Sequence, residues 1–179
     1  MKDGNLILVG FMGSGKSAVG RELARLTGKE FIDLDRRIEA KRRMSISMIF
    51  RKMGEGRFRD IEHAEVRTLA GMSGKVVAVG GGAAVFPRNR PWLRRAGRVV
   101  YLRTPVAVLV RRLAGSKSRP LLRPAAGNRR ALAALISSLL KKRSPAYASA
   151  AHLSIDAGRG NPRAVAARIL ARIGVSGRG

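Results

Sequence analysis

Apolar residues fall along this chain in two alternating kinds of pattern, short unbroken runs and longer helical stripes. Asn5 to Val9 is a compact run bounded by Gly4 and Gly10, the pattern of a strand buried on both faces. After a glycine-rich turn, Ala18, Val19, Leu23, Ala24 and Leu26 recur at helical spacing until Gly28, a residue suited to stop a helix. Phe31-Ile32-Asp33 reads as a second strand, and Leu34 to about Arg43 as a basic helix. Ser45 is placed to cap a helix carrying Ile46, Ile49 and Phe50 that ends near Gly54, and Glu55 to about Met72 continues helical.

The second half repeats the alternation. Val76 to Val79 is a buried strand closed by three glycines, and Val99 to Leu102 is another, followed by a helix that Pro105 opens at its first turn. Residues 115 to 127, with two glycines, two prolines and three cations, read as an exposed mobile loop. Asn128 caps a helix expected to run to about Arg143 and to be halted by Pro145. His152 to Asp156 is a fifth strand and Pro162 to Ile173 a last helix. The sum is an α/β domain of three layers, five parallel strands flanked by helices, whose ligands belong at the carboxyl ends of the strands.

Composition narrows this picture. The 179 residues fit one domain spanning 1–179, and an apolar fraction of 45% excludes a disordered basic tail. No cysteine is present, so disulfide scaffolds and thiolate sites are excluded and a cytoplasmic location is the default expectation. Uncharged runs reach only twelve residues, too few for a membrane span, which needs about 20. Leu6 to Val9 is too short for a signal-peptide core, so the start reads as mature protein.

The charge is +26, and from Arg67 to Ile155 there are 18 cations and no acid. Such a field attracts anions without saying which.

The sharpest chemical signal is Gly10-Phe11-Met12-Gly13-Ser14-Gly15-Lys16-Ser17, which has the Gly-x-x-x-x-Gly-Lys-Ser pattern between a strand and a helix. Glycines let the turn aim its amides inward at phosphate, the helix start adds partial positive charge, Lys16 supplies a cation and Ser17 a ligand for Mg²⁺. Gly13, Ser14, Gly15 and Ala18 complete the nucleotide-binding set.

Asp33 and Asp35 stand at a strand end, where extended geometry would put both carboxylates on one side, for Mg²⁺ and for a substrate hydroxyl; the alternative makes Asp35 a helix cap. In Phe58-Arg59-x-x-Glu62 the glutamate lies one turn from the arginine and can orient it toward a substrate carboxylate, or form an ordinary surface pair. Gly80, Gly81 and Gly82 allow close backbone approach to a ligand, or simply a flexible turn. Arg119 is placed to swing over transferring phosphates, with Arg112 and Arg143 flanking nucleotide and acidic substrate.

Together these residues resemble the shikimate kinase family along essentially the whole chain. The matching stations, in order, are the phosphate loop 10–17, Thr27-Gly28-x-x-Phe31-x-Asp33-x-Asp35, Ile49-Phe50-x-x-x-Gly54-Glu55, Phe58-Arg59-x-x-Glu62 and Gly80-Gly81-Gly82. Arg119-Pro120-Leu121-Leu122, Arg143-x-Pro145-x-Tyr147 and Asn161-Pro162 follow.

The resemblance implies a nucleoside monophosphate kinase type of fold, a lid at about 113–127 and a substrate-binding segment at about 33–62. It implies transfer of the ATP γ-phosphoryl to the 3-hydroxyl of shikimate, in the route to chorismate and aromatic amino acids.

By the same resemblance Lys16, Asp35 and Arg119 are catalytic, with Asp35 the base, and Ser17 and Asp33 serve Mg²⁺. Arg59, Gly81, Gly82 and Arg143 seat shikimate, and Arg112 lies against adenine. A monomer working on ATP and shikimate is expected, without membrane and without nucleic acid beyond non-specific attraction. Gly160 departs from the basic residue the family often carries before Asn-Pro. A gluconate kinase of the same fold, or a basic nucleic-acid-associated ATP-binding protein, is the competing reading.

Overall fold

The computed structural model describes residues 4–114, 120–125 and 127–174. Five strands, β1 (Asn5–Val9), β2 (Glu30–Asp33), β3 (Lys75–Ala78), β4 (Gly97–Arg103) and β5 (Leu153–Asp156), form one sheet in the order β2-β3-β1-β4-β5. Every pairing is parallel, with Ile7 of β1 opposite Val77 of β3 and Val99 of β4.

Strand alternation builds the three layers. Ile7 and Val9 point to one face, joined by Val77, Val99 and Tyr101, and are covered by α2 (Leu34–Arg42), α3 (Ile46–Thr68), α4 (Arg90–Ala96), α5 (Val106–Leu113) and α6 (Arg129–Ala150). Leu6 and Leu8 point to the other face with Val76, Val100 and Leu102, beneath α1 (Lys16–Thr27) and α7 (Pro162–Ile173). Two cores on opposite faces are why the strands read as continuous apolar runs.

Asn5 is the exception within β1. Only 2% exposed, it donates through Nδ2 to the carbonyls of Met72 at 2.7 Å and Ala96 at 2.8 Å, and its Oδ1 accepts from the Lys75 amide at 2.9 Å. One side chain thus ties the starts of β3 and β4 to β1.

Helix limits depart from expectation in two places. Pro145 does not halt α6, which continues to Ala150. A proline inside a helix costs about 3 kcal/mol, and the burial of Ala146, Tyr147 and Ala150 beyond it offsets that cost. Helix α4 and the short 3₁₀ turn Pro87–Asn89 before it escaped the periodicity reading, seven residues being too few to show a period. The break expected at Gly54 is present: within Ile46–Thr68 two helical stretches meet there at φ 77° and ψ 171°, as the sequence predicts.

Of the segment 113–127, residues 120–125 form a 3₁₀ turn. Arg119 lies outside the described residues. No helix among the described residues is long and apolar enough to cross a membrane.

Candidate active site

The carboxyl ends of β1, β2 and β3 converge on one cluster of polar groups. The phosphate loop leaves β1 and enters α1 through Gly13 at φ 78° and Gly15 at φ 93°, backbone conformations that admit glycine without strain. The amides of Lys16, Ser17 and Ala18 lie in the first turn of α1, where a helix start turns its N–H groups and partial positive charge toward an anion. Lys16 folds back over the loop, its Nζ donating to the carbonyls of Gly10 at 2.9 Å and Phe11 at 3.0 Å. Ser14 is 1% exposed and its Oγ has no hydrogen-bond partner among the described residues.

Ser17 Oγ donates to Asp33 Oδ2 at 2.7 Å, joining α1 to the end of β2. Extended geometry does not persist past Asp33, contrary to one reading of the pair. Asp33 itself caps α2, accepting from the Arg36 amide at 3.4 Å, and Asp35 sits in the first helical turn. The helical step separates the two carboxylates: Asp33 faces Ser17, whereas Asp35 faces the turn after β3, where a Cβ on Gly80 would stand 2.6 Å from Asp35 Oδ1 and 2.9 Å from Glu62 Oε1.

Arg59 is held on two sides by carboxylates. Its Nη1 donates to Glu62 at 2.8 Å and its Nη2 to Glu55 at 3.0 Å, and its guanidinium lies 5.2 Å from the centroid of the Phe58 ring. Burial works against its charge, yet the two glutamates outweigh that and raise its pKa. Burial lifts the Glu62 carboxyl above its usual range; Arg59 pulls it back, and Asp35 and Glu55 push it further up. With Glu62 1% exposed, this is no ordinary surface pair.

The triple-glycine turn packs closely against its neighbours. A Cβ on Gly82 would collide with the Arg59 guanidinium, and one on Gly81 would stand 3.2 Å from the Met12 amide nitrogen of the phosphate loop. The turn therefore fits between the nucleotide loop and the arginine.

Two further arginines border this cluster. Arg143 of α6 lies 5.9 Å from the Phe11 ring centroid. Arg112 of α5 donates to the Gly13 carbonyl at 3.1 Å and the Ala157 carbonyl at 3.4 Å, bridging the phosphate loop to the segment after β5. Asn161 caps α7 through the Ala164 amide at 2.9 Å, with Gly160 before it at φ 80°. Among the described residues no group of three or more His, Cys, Asp or Glu is arranged to hold a metal alone. Two open cavities of about 450 and 530 Å³ beside α5 and α6 are lined by none of the residues above, so chemistry rather than cavity volume locates the site.

Lys16, Ser17, Asp33, Asp35, Arg59 and Gly80 to Gly82, which the motifs predict together, meet at the strand ends. The motifs assign Tyr147 no role beyond its place in the Arg143-x-Pro145-x-Tyr147 spacing, although the Tyr147 hydroxyl donates to the Gly81 carbonyl at 2.6 Å. A tyrosine at i+4 from a candidate ligand arginine was the signal available.

A parallel sheet of this order, a phosphate loop at β1 and a carboxylate at the facing strand end define a P-loop kinase of the small-molecule type. The sequence model of the family described as shikimate kinase matches residues 12–174. The chain is 49% identical to a shikimate kinase of Geobacter sulfurreducens over 152 residues, covering 85% of this chain and 81% of that one. It is 46% identical to that of Halorhodospira halophila over 165 residues, covering 92% and 90%. In three dimensions it matches a shikimate kinase from Acinetobacter baumannii in complex with shikimate, with a TM-score of 0.88, 42% identity and coverage of 95% of this chain and 92% of that one. The chain belongs to the shikimate kinase family.

Proposed function

We propose that this chain transfers the γ-phosphoryl of ATP to the 3-hydroxyl of shikimate, giving shikimate 3-phosphate. The observation that carries this reading beyond family membership is the paired-carboxylate grip on Arg59 beside the Gly80–Gly82 turn. An oriented guanidinium matches a ring carboxylate in bidentate fashion, a feature that an acceptor without a carboxylate would not need.

Lys16 and the first-turn amides of Lys16, Ser17 and Ala18 would hold the phosphates, with Gly13, Ser14 and Gly15 shaping the loop around them. Ser17 Oγ and Asp33 Oδ2, already 2.7 Å apart, are hard oxygen donors that suit Mg²⁺, an ion that keeps several waters. They are the residues that would hold it, and when bound it supplies charge neutralisation at the phosphates.

Asp35, beside Gly80, would accept the proton of the attacking hydroxyl. Arg59 and Arg143 would bind the substrate carboxylate against Gly81 and Gly82, and Arg112 would flank adenine. Arg119 would reach over the phosphates from the lid, placed at 113–127. Phosphoryl transfer depends on positioning and neutralisation, which these groups supply without covalent chemistry.

The chain is read as a cytoplasmic monomer with no nucleic-acid partner beyond charge attraction. A coupled assay of ADP release with MgATP tests the reading, comparing shikimate, gluconate and nucleoside monophosphates on wild type and Lys16→Met. Turnover requiring both shikimate and Lys16 is expected. Equal rates with and without shikimate would refute the acceptor.

A further inference from the structure

Helix α6 follows the 113–127 segment and returns the chain to β5, and its second half carries two residues facing the site, Arg143 and Tyr147. They are four residues apart, one above the other on the same helical face. Tyr147 is completely buried, its ring 5.2 Å from that of Tyr101 on β4. Phenylalanine would satisfy that packing equally. The hydroxyl has a separate use, because a buried polar group is costly unless bonded, and its partner is the carbonyl of Gly81 at 2.6 Å.

Gly81 is the middle of a turn with a different neighbour at each residue. Gly80 abuts Asp35 and Glu62, Gly81 abuts the Met12 amide of the phosphate loop, and Gly82 abuts Arg59. A three-glycine turn has high intrinsic freedom, so something must select the one conformation that meets all three. Within the turn, backbone bonds from the amides of Ala83 to Gly80 and Val85 to Gly82 leave the Gly81 carbonyl for Tyr147.

We propose that Tyr147 is a positioning residue for the kinase reaction: its hydroxyl fixes the Gly80–Gly82 turn and thereby sets Arg59 and the shikimate cradle against the phosphate loop. This rests on the reading of Arg59, Gly81 and Gly82 as the shikimate seat. Its geometric part, the tether from α6 to the turn, stands apart from the substrate. Burial pushes the phenol up to about 12, against the opposing pull of Arg143 and Arg59, so the hydroxyl remains a proton donor throughout the working pH range.

Tyr147→Phe keeps the ring and removes the hydroxyl, with both its bond to the Gly81 carbonyl and its bond with Arg143, so the amides of the turn rather than KM alone report on the tether. The expected result is a three- to tenfold rise in KM for shikimate, the size of one lost hydrogen bond, with KM for MgATP and kcat within about twofold. Backbone amide resonances of Gly81, Gly82 and Met12 should shift or broaden in the substrate-free protein, while those of α7 stay in place.

Unchanged turn and Met12 amides would overturn the tether whatever the kinetics. Equal rises in both KM values together with a large fall in Tm would show a purely structural role and overturn the positioning. If wild type fails to phosphorylate shikimate, the substrate reading falls, and the kinetic part of the proposal with it, whereas the amide shifts still decide the tether.

Discussion

Arg59 and Glu62 meet at 2.8 Å, with the Glu62 side chain 1% exposed and that of Arg59 15%. The carboxylate thus lies beneath a guanidinium that retains access to solvent, and the arginine is oriented before any ligand arrives. Removing the buried charge while keeping its shape, as in Glu62→Gln, weakens a charge-assisted bond worth about 1.5–3 kcal/mol. KM for shikimate should rise by about tenfold or more in steady-state assays, with KM for MgATP little changed.

The same pair dictates a pH dependence. Burial raises the Glu62 pKa in the folded chain above its unfolded value, so the folded state binds that proton more tightly. Its contribution to stability is fully present below the ordinary glutamate range and is lost as pH rises through the raised pKa. Activity runs the other way, because protonating Glu62 loosens its hold on Arg59. In wild type, KM for shikimate should climb as pH falls through that raised pKa, and Glu62→Gln should flatten both the stability slope and the KM limb.

The Ser17–Asp33 contact predicts a metal phenotype. Asp33→Asn preserves an α2 cap, since asparagine caps about as well as aspartate, but removes the charge facing Ser17. The Mg²⁺ concentration giving half-maximal activity should rise by about tenfold while Tm moves by only a few degrees, measured by metal titration and thermal melts.

Gly82→Ala places a methyl group into the Arg59 guanidinium. Moving the arginine is easier than moving the backbone, so the expected loss is in shikimate binding, about fivefold or more in Kd by calorimetry, with the fold retained. Leaving Arg59 unaffected would require the turn to yield, which the same titration would register as an unchanged Kd.

Asn5→Leu tests the polar anchor inside β1. The change strands the buried Ala96 carbonyl and takes the partner from the partly buried Met72 carbonyl and Lys75 amide, each costing about 1–3 kcal/mol when left without a partner. Tm should fall by roughly 6 °C or more, three groups at the lower bound of about 1 kcal/mol each and about 2 °C per kcal/mol for a chain of this size, even though leucine suits the apolar pattern better.

Local patterns dictate much of this protein. The two-faced burial of β1, β3 and β4 is written in unbroken apolar runs, α7 begins at Pro162 after the Asn161 cap and ends before Gly174, and the phosphate loop is specified residue by residue. These are short-range properties, set by side-chain period, caps and backbone freedom, so they are visible without knowing what packs where. The ordered motifs from Gly10 to Pro162 likewise identify the family, because the spacing of residues along strands and helices carries over into where they meet at the strand ends.

What the tertiary structure decided are the matters of partnership. Whether Pro145 ends a helix depends on the burial available beyond it, which the local sequence does not contain. Asp33 rather than Asp35 caps α2 because the chain turns helical at Leu34, directly after β2, so that one carboxylate faces Ser17 and the other Gly80. The Arg59–Glu62 spacing is legible in the sequence, but whether it makes a surface pair or a buried grip is decided by the burial of Glu62 and the contact with Gly82, and Tyr147 is singled out by a carbonyl 66 residues away. Long-range contact selects among residues that are locally equivalent, and selection of that kind becomes visible only when the chain is folded.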